Sequence, residues 1–287
     1  MAKTMTTTKT TTRIDYGRRV ARVMAYINDH LDDDLSLERL AEFACFSPCH
    51  FHRIYRGIAG ETANETIRRL RLHRAANELA RTDKPIERIA RRAGYASVEA
   101  FSRAFGADHG QPPAAYRARL TPFHSISNGD GIMQSITIKT FPGVRLAALE
   151  HRGDYQTIGR RFDELAAWAA SHGLLDSPRR WFGIYHDDPE SVPKAQLRSE
   201  AAVEIDPVTP LAEGMILREI PRVRAASIVH KGPYAELERS YRKLYGEWLP
   251  ASGEEPANMP SFEHYINDAR VVPPSELLTE IFLPLKG

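Results

Sequence analysis

Apolar residues recur at helical spacing through the first 120 positions, and the period then changes. Ile14, Val20, Val23, Met24, Ile27 and Leu31 form the stripe of an opening amphipathic helix. Ser36 stands where a cap would open a short helix over 37–44, and Ser47 followed by Pro48 opens another, running to about residue 58. A longer helix is predicted over 62–82, with Ile67, Leu70, Ala75 and Leu79 apolar and Arg68, Arg69, Arg71 and Arg74 around them. Asp83-Lys84-Pro85 breaks it, and three shorter helices follow near 86–93, 97–108 and 113–119.

Residues 121–133 read TPFHSISNGDGIM, a stretch of Pro, Ser, Asn and Gly that predicts a linker. Beyond it SITIKTF alternates as a strand over 135–141. Further strands are predicted over 145–150, 180–186, 201–205, 215–220, 225–230, 262–267 and 278–283, with helices over 156–171 and 234–249. The fold class expected is multidomain: an all-α double helix-turn-helix head, then an α+β domain of duplicated strand–helix units. The boundaries expected are a disordered tail over 1–13, the head over 14–120, the linker over 121–133 and the second domain over 134–287.

Composition narrows the class. At 287 residues with 42% hydrophobic and 26% charged, the chain has the length of two globular domains. No apolar run approaches the roughly 20 residues of a membrane span, so no membrane partner is expected. The Thr-rich start lacks the apolar core of a signal peptide, and Cys45 and Cys49 make no disulfide framework, so the expected location is the cytoplasm. Residues 1–120 carry 21 Lys and Arg against 14 Asp and Glu, whereas the remainder carries 18 against 23. A basic first half beside an acidic second half points the first towards a polyanion.

Each half contains a repeat. ERLAEFACFS (38–47) resembles ERIARRAGYAS (87–97), and Phe51, Arg53, Tyr55 and Gly60 recur as Phe101, Arg103, Phe105 and Gly110. Each copy reads as a helix, a tight turn and a second helix whose aromatic pair faces inward. That leaves Cys49, His52 and Arg53 near the outer face of one second helix, and Val98, Glu99, Ser102 and Arg103 near that of the other. Such helices fit the major groove of double-stranded DNA, where Arg bonds guanine in a bidentate manner. Two plain helical hairpins without a ligand are the alternative. The segment GYASVEAFSRAFGADHGQPPAAYR closes the head. Over about 14–120 the chain resembles the AraC/XylS DNA-binding domain, which implies that the helices opening at Ser47 and Ser97 read bases and that RNA polymerase is a partner. Cys49 and His52 depart from the longer residues common there.

In the second half FPGVRLAALEHRGDYQTIGRRFDEL (141–165) recurs as IPRVRAASIVHKGPYAELERSYRKL (220–244). Each copy is strand, H-x-G-x-Y turn and helix, and the seam between copies is a natural ligand cleft. With PSFEHYI and the terminal LTEIFLPL, this half resembles the gyrase-inhibitor-like (SOUL-related) effector-binding domains. That implies a small-molecule effector, cationic or amphipathic, and implies that Glu280 is the glutamate at the cleft floor. Glu280 shares a strand face with Leu278 and Phe282, so a cation would supply the partner its carboxylate needs. Trp181, Tyr185 and Tyr265 are wall candidates. Some relatives in that superfamily hydrolyse small electrophiles, so the alternative is a hydrolase with Glu280 and Tyr265 as acid and base. No cofactor is expected and no catalytic residues are assigned. Cys45 and Cys49 are read as thiols on different helices, Cys45 on a packing side, rather than as metal ligands.

Overall fold

The computed structural model describes residues 2–120 and 135–287, with side chains from Ile14 onward. The predicted linker lies outside the described residues. Seven helices span the first part: α1 (Ala2–Asp29), α2 (Leu37–Phe43), α3 (Pro48–Ala59), α4 (Ala63–Arg81), α5 (Ile86–Arg92), α6 (Val98–His109) and α7 (Pro113–Leu120). The expected disordered tail is corrected, because α1 begins at Ala2. No Gly or Pro interrupts the chain before Gly17, and extending a formed helix costs far less than nucleating one.

The rest alternates strands and helices in two equivalent sets. The first is β1 (Thr137–Phe141), β2 (Val144–Arg152), α8 (Gly159–Ser171), β3 (Trp181–Tyr185) and β4 (Arg198–Glu204). The second is β5 (Ile216–Ile220), β6 (Val223–Lys231), α9 (Leu237–Tyr241), β7 (Ser261–Tyr265) and β8 (Leu278–Pro284). The single helix predicted over 234–249 is instead a 3-10 turn at Tyr234–Glu236, then α9, a π-helical segment at Arg242–Trp248, and the short α10 (Leu249–Ser252). Pro233 and Pro250 bracket this stretch, and π segments of this kind are frequent at functional sites.

The expected division into a head and a following domain does not describe the contacts. They divide the chain into two compact units, each combining one helix-turn-helix with parts of the strand–helix region. The first holds residues 1–70, 145–180 and 189–218; the second holds 71–144, 181–188 and 219–287. The boundary inside α4 falls between Leu70 and Arg71.

In the first unit α1, α2 and α3 bury Val20, Val23, Met24, Ile27, Leu40, Phe51 and Tyr55 in one core, and Ala167 of α8 belongs to the same core. Gly17 of α1 lies so close to α8 that a Cβ there would meet that of Ser171 at 2.4 Å. β2 runs between β4 and β5, and its register with β4 sets Ala148 opposite Ala202.

In the second unit α4, α5, α6 and α7 bury Leu72, Leu79, Ile89, Phe101, Phe105 and Tyr116. Five antiparallel strands follow the order β1-β6-β8-β7-β3. One sheet face carries Phe141, Phe262 and Phe282, with ring centroids 4.8–5.3 Å apart. On the opposite face Ile228, Ile281 and Leu283 pack with Leu244, Tyr241 and Trp248. Alternation along each strand decides which face a side chain joins.

Candidate DNA interface and effector site

Both reading helices are built alike. Ser47 accepts the amide of His50 at the start of α3, and Ser97 accepts that of Ala100 at the start of α6. Gly60 and Gly110 close the two helices in the left-handed region, at φ 79° and 74°. The inward aromatic pairs are fully buried: Phe51 with Tyr55, and Phe101 with Phe105. Cys49, His52 and Arg53 are exposed along α3, as are Glu99 and Arg103 along α6. Val98 and Ser102 are half-buried, and Val98 packs against the core of its own unit. Ser36 stands at the N-cap of α2 but makes no side-chain cap bond.

The turn between the helices requires a left-handed residue. The second copy places Gly94 there at φ 85°, and the first places Cys45 at φ 57°. Cys45 is thus not on the packing side of a helix. It is exposed in the turn after α2, as Cys49 is exposed on α3. Among the described residues no cluster of His, Cys, Asp and Glu has the makings of a metal site, and no helix is long and apolar enough to cross a membrane.

The second candidate site lies where β3 meets β7. Their register pairs Trp181 with Tyr265, Gly183 with Glu263 and Tyr185 with Ser261, so all six share one face. Glu263 is only 2% exposed. Tyr241 donates to its Oε1 at 2.9 Å and Tyr265 to its Oε2 at 2.8 Å. The Tyr185 and Tyr265 hydroxyls lie 2.8 Å apart. Tyr234 meets Tyr265 edge-on, with centroids 5.4 Å apart, and Tyr245 stacks parallel to Tyr241 at 6.2 Å. Burial pushes the Glu263 carboxyl up to about 7, against the pull of the tyrosine hydrogen bonds. Burial also raises Tyr241 and Tyr265 well above the usual phenol range, helped by the Glu263 charge, so both remain donors.

Trp181, Tyr185 and Tyr265 are therefore brought together, and Glu280 does not join them. The β7–β8 register pairs Glu280 with His264, one residue out of step with Glu263, so Glu280 faces the phenylalanine side of the sheet. Its carboxylate pairs with Lys139 of β1, which lies over the Phe282 ring. The other copy repeats this arrangement. Arg218 of β5 stands where Lys139 stands in β1, and Glu200 of β4 stands where Glu280 stands in β8. Arg218 donates to Glu200 at 2.6 and 2.7 Å. A pair present in both copies is a cross-strand tie rather than a ligand group.

The H-x-G-x-Y histidines are structural. His151 bonds Ser199 at 3.0 Å and Thr157 at 2.9 Å, and His230 bonds Ser240 at 3.0 Å.

Residues 134–286 match the GyrI-like small molecule binding domain, and residues 40–119 match a helix-turn-helix domain. The chain is 36% identical over 107 residues to the regulatory protein SoxS of Escherichia coli (strain K12), covering 37% of this chain and 100% of that protein. The chain belongs to the AraC-type regulators with a GyrI-like domain. This regulator is also 33% identical over 111 residues to a DNA gyrase inhibitor of Erwinia billingiae (strain Eb661), covering 37% of this chain and 69% of that protein. Among solved structures, an EcmrR–DNA complex has a TM-score of 0.46 at 17% identity, covering 86% of this chain and 84% of that one.

Sequence reasoning named three residues of the regulator's tyrosine cluster and missed Glu263, Tyr241, Tyr234 and Gly183. A signal for Glu263 was present, because it stands two residues before Tyr265 in PSFEHYI and strand alternation puts both on one face. Tyr241 carried no such signal, since it arrives from a helix.

Proposed function

We propose that this DNA-binding transcription regulator senses a small organic cation at the Glu263 cluster and alters its grip on DNA in response. The observation that carries this reading is the Glu263 carboxylate itself. It is buried on a face of aromatic side chains, and among the described residues its hydrogen bonds come from tyrosine hydroxyls rather than from a Lys or Arg. A buried carboxylate without a cation is costly and drifts towards its neutral form. An organic cation restores the charge, and the tyrosine and Trp181 rings add cation–π attraction of about 0.5–2 kcal/mol. Because both carboxylate oxygens already accept hydroxyl protons, the cluster is a binding site, and its ligand leaves unchanged.

On the DNA side, Arg53 and Arg103 are proposed to read base edges, with Cys49, His52, Glu99 and Ser102 beside them. At its target the regulator meets RNA polymerase. The deciding experiment is calorimetry of the full chain with tetraphenylphosphonium and with its neutral counterpart triphenylphosphine oxide. Binding of the cation alone, lost in Glu263→Gln and kept in Glu280→Gln, supports the reading. Equal binding of both compounds, or indifference to Glu263→Gln, defeats it.

A further inference from the structure

Each helix-turn-helix is followed by an arginine that ties the end of the reading helix to a carboxylate of the strand–helix region. In the first unit Glu61 follows Gly60, the cap of α3. Arg69 donates to it through Nη2 at 2.6 Å and Nε at 3.3 Å. The same Glu61 accepts from Thr66 at 2.9 Å, and Thr66 accepts from the buried Tyr55 of α3 at 2.9 Å. The outer edge of Arg69 lies 3.8 Å from Asp163 of α8, whose other oxygen accepts from Asn28 at 3.1 Å.

The second unit repeats the design. Gln111 follows Gly110, the cap of α6, and Arg119 stands as far beyond Gln111 as Arg69 does beyond Glu61. With its amide oxygen turned inward, Gln111 accepts from Nε and Nη2 of Arg119 at 2.9 Å each. Arg119 then grips Glu236 with both terminal nitrogens, at 2.8 and 2.5 Å.

The two carboxylates have different surroundings. Asp163 belongs to α8, which shares a core with α1, α2 and α3. Glu236 closes the 3-10 turn that carries Tyr234. The Tyr234 ring meets Tyr265 of the cluster at 5.4 Å on one side and His73 of α4 at 6.4 Å on the other, both edge-on. Glu236 also has a second cation within reach. Arg239 lies 3.9 Å away and donates to the carbonyl of Arg119 at 3.4 Å.

We propose that Arg69 and Arg119 are positioning residues for the two reading helices, and that occupancy of the tyrosine cluster reaches only the second helix, through the Tyr234–Glu236 turn. This rests on the Glu263 cluster being the effector site. A cation drawn to Glu263 displaces the Tyr265 hydroxyl, and the Tyr265 ring turns. Tyr234, packed against that ring, carries its turn along. Glu236 then passes from Arg119 to Arg239, which frees the end of α6. Asp163 sits on α8 in the core of the first unit, and α3 stays as it was. By linkage, DNA that selects one arrangement of α6 changes cation affinity by the same factor.

The experiment measures DNA affinity of the full chain with and without tetraphenylphosphonium, on a duplex chosen by selection from random sequence. Wild type is compared with Glu236→Gln and Asp163→Asn, and calorimetry gives the affinity of each for the cation. The cation is expected to shift wild-type DNA affinity about fivefold or more, with the footprint change confined to the half-site read by α6. Glu236→Gln is expected to bind the cation within twofold of wild type and to lose the shift. Asp163→Asn is expected to bind DNA more weakly throughout and to keep the shift. A shift that survives Glu236→Gln, or a footprint change under α3, overturns the relay. If no variant binds the cation, the effector reading falls, and hydrogen exchange decides the relay. Glu263→Gln must then alter exchange in 98–120 but not in 48–59, and adding Glu236→Gln must cancel the change; any other pattern overturns it.

Discussion

Gly183 lies directly across from Glu263 in the antiparallel pairing of β3 with β7. The pairing is symmetric about this point, because Tyr185 and Tyr265 flank it from either side, one on each strand. A side chain is missing on one strand where a carboxylate stands on the other. The tyrosine hydroxyls occupy that space, for a Cβ on Gly183 would lie 2.7 Å from the Tyr265 oxygen and 2.9 Å from the Tyr185 oxygen. Gly183→Ala is therefore expected to push both hydroxyls off the carboxylate and to lower affinity for tetraphenylphosphonium about tenfold, at a loss of about 1.4 kcal/mol. Calorimetry on the folded variant checks this.

The effect of pH on that affinity follows from the Glu263 carboxyl, which titrates near 7 when the site is free. A bound cation favours the ionised form, so binding releases a proton below that pH. Affinity is expected to fall about tenfold per pH unit as pH drops below 7. A flat profile between pH 5 and 7 would show that the cation does not meet Glu263.

Stability moves the other way with the same group. Its folded value is raised, so the neutral form stabilises the fold at low pH, and that contribution is lost as pH rises through about 7. Glu263→Gln is expected to match wild type near pH 5 and to exceed it by about 1–3 kcal/mol at pH 8. Urea melts at the two pH values test it.

His109 is 5% exposed, stacked on Phe105 at 4.0 Å and edge-on to Tyr116. Burial pushes it down to about 4, with the His73 charge adding to the effect. The unfolded chain thus binds more protons between pH 4 and 6.5, so stability declines as pH falls through that window, by up to about 3 kcal/mol. His109→Phe is expected to keep the stack and remove most of this decline, read as thermal midpoints at pH 4.5 and 7.5.

Cys45 holds a left-handed backbone where the other copy has Gly94. Left-handed geometry costs a side-chain-bearing residue about 1–2 kcal/mol, and glycine returns part of that gain through its freer unfolded chain. Cys45→Gly is expected to stabilise the fold by about 0.5–1 kcal/mol. Gly94→Ala is expected to destabilise it, because the new Cβ would also meet Arg71 at 2.8 Å. Chemical melts of both variants measure the pair.

The sequence by itself determined the local elements and their duplication. Helical period, Ser-Pro caps and closing glycines are short-range signals, and α3 and α6 lie within a residue or two of where they predict them. Matching residues in the two copies exposed both repeats without any contact being known. Tertiary structure alone decided which carboxylate the tyrosines surround. Glu263 and Glu280 both stand on strands among apolar neighbours, and a register offset of one residue sends them to opposite faces. That register depends on how β7 and β8 pair, and Tyr241 reaches the site only because α9 packs over it. The division through α4 was likewise hidden, because it depends on Arg69 and Arg119 meeting Asp163 and Glu236, which lie far along the chain from them. Contacts at such separation leave no periodic trace in a single sequence, since nothing local in either residue reveals its partner.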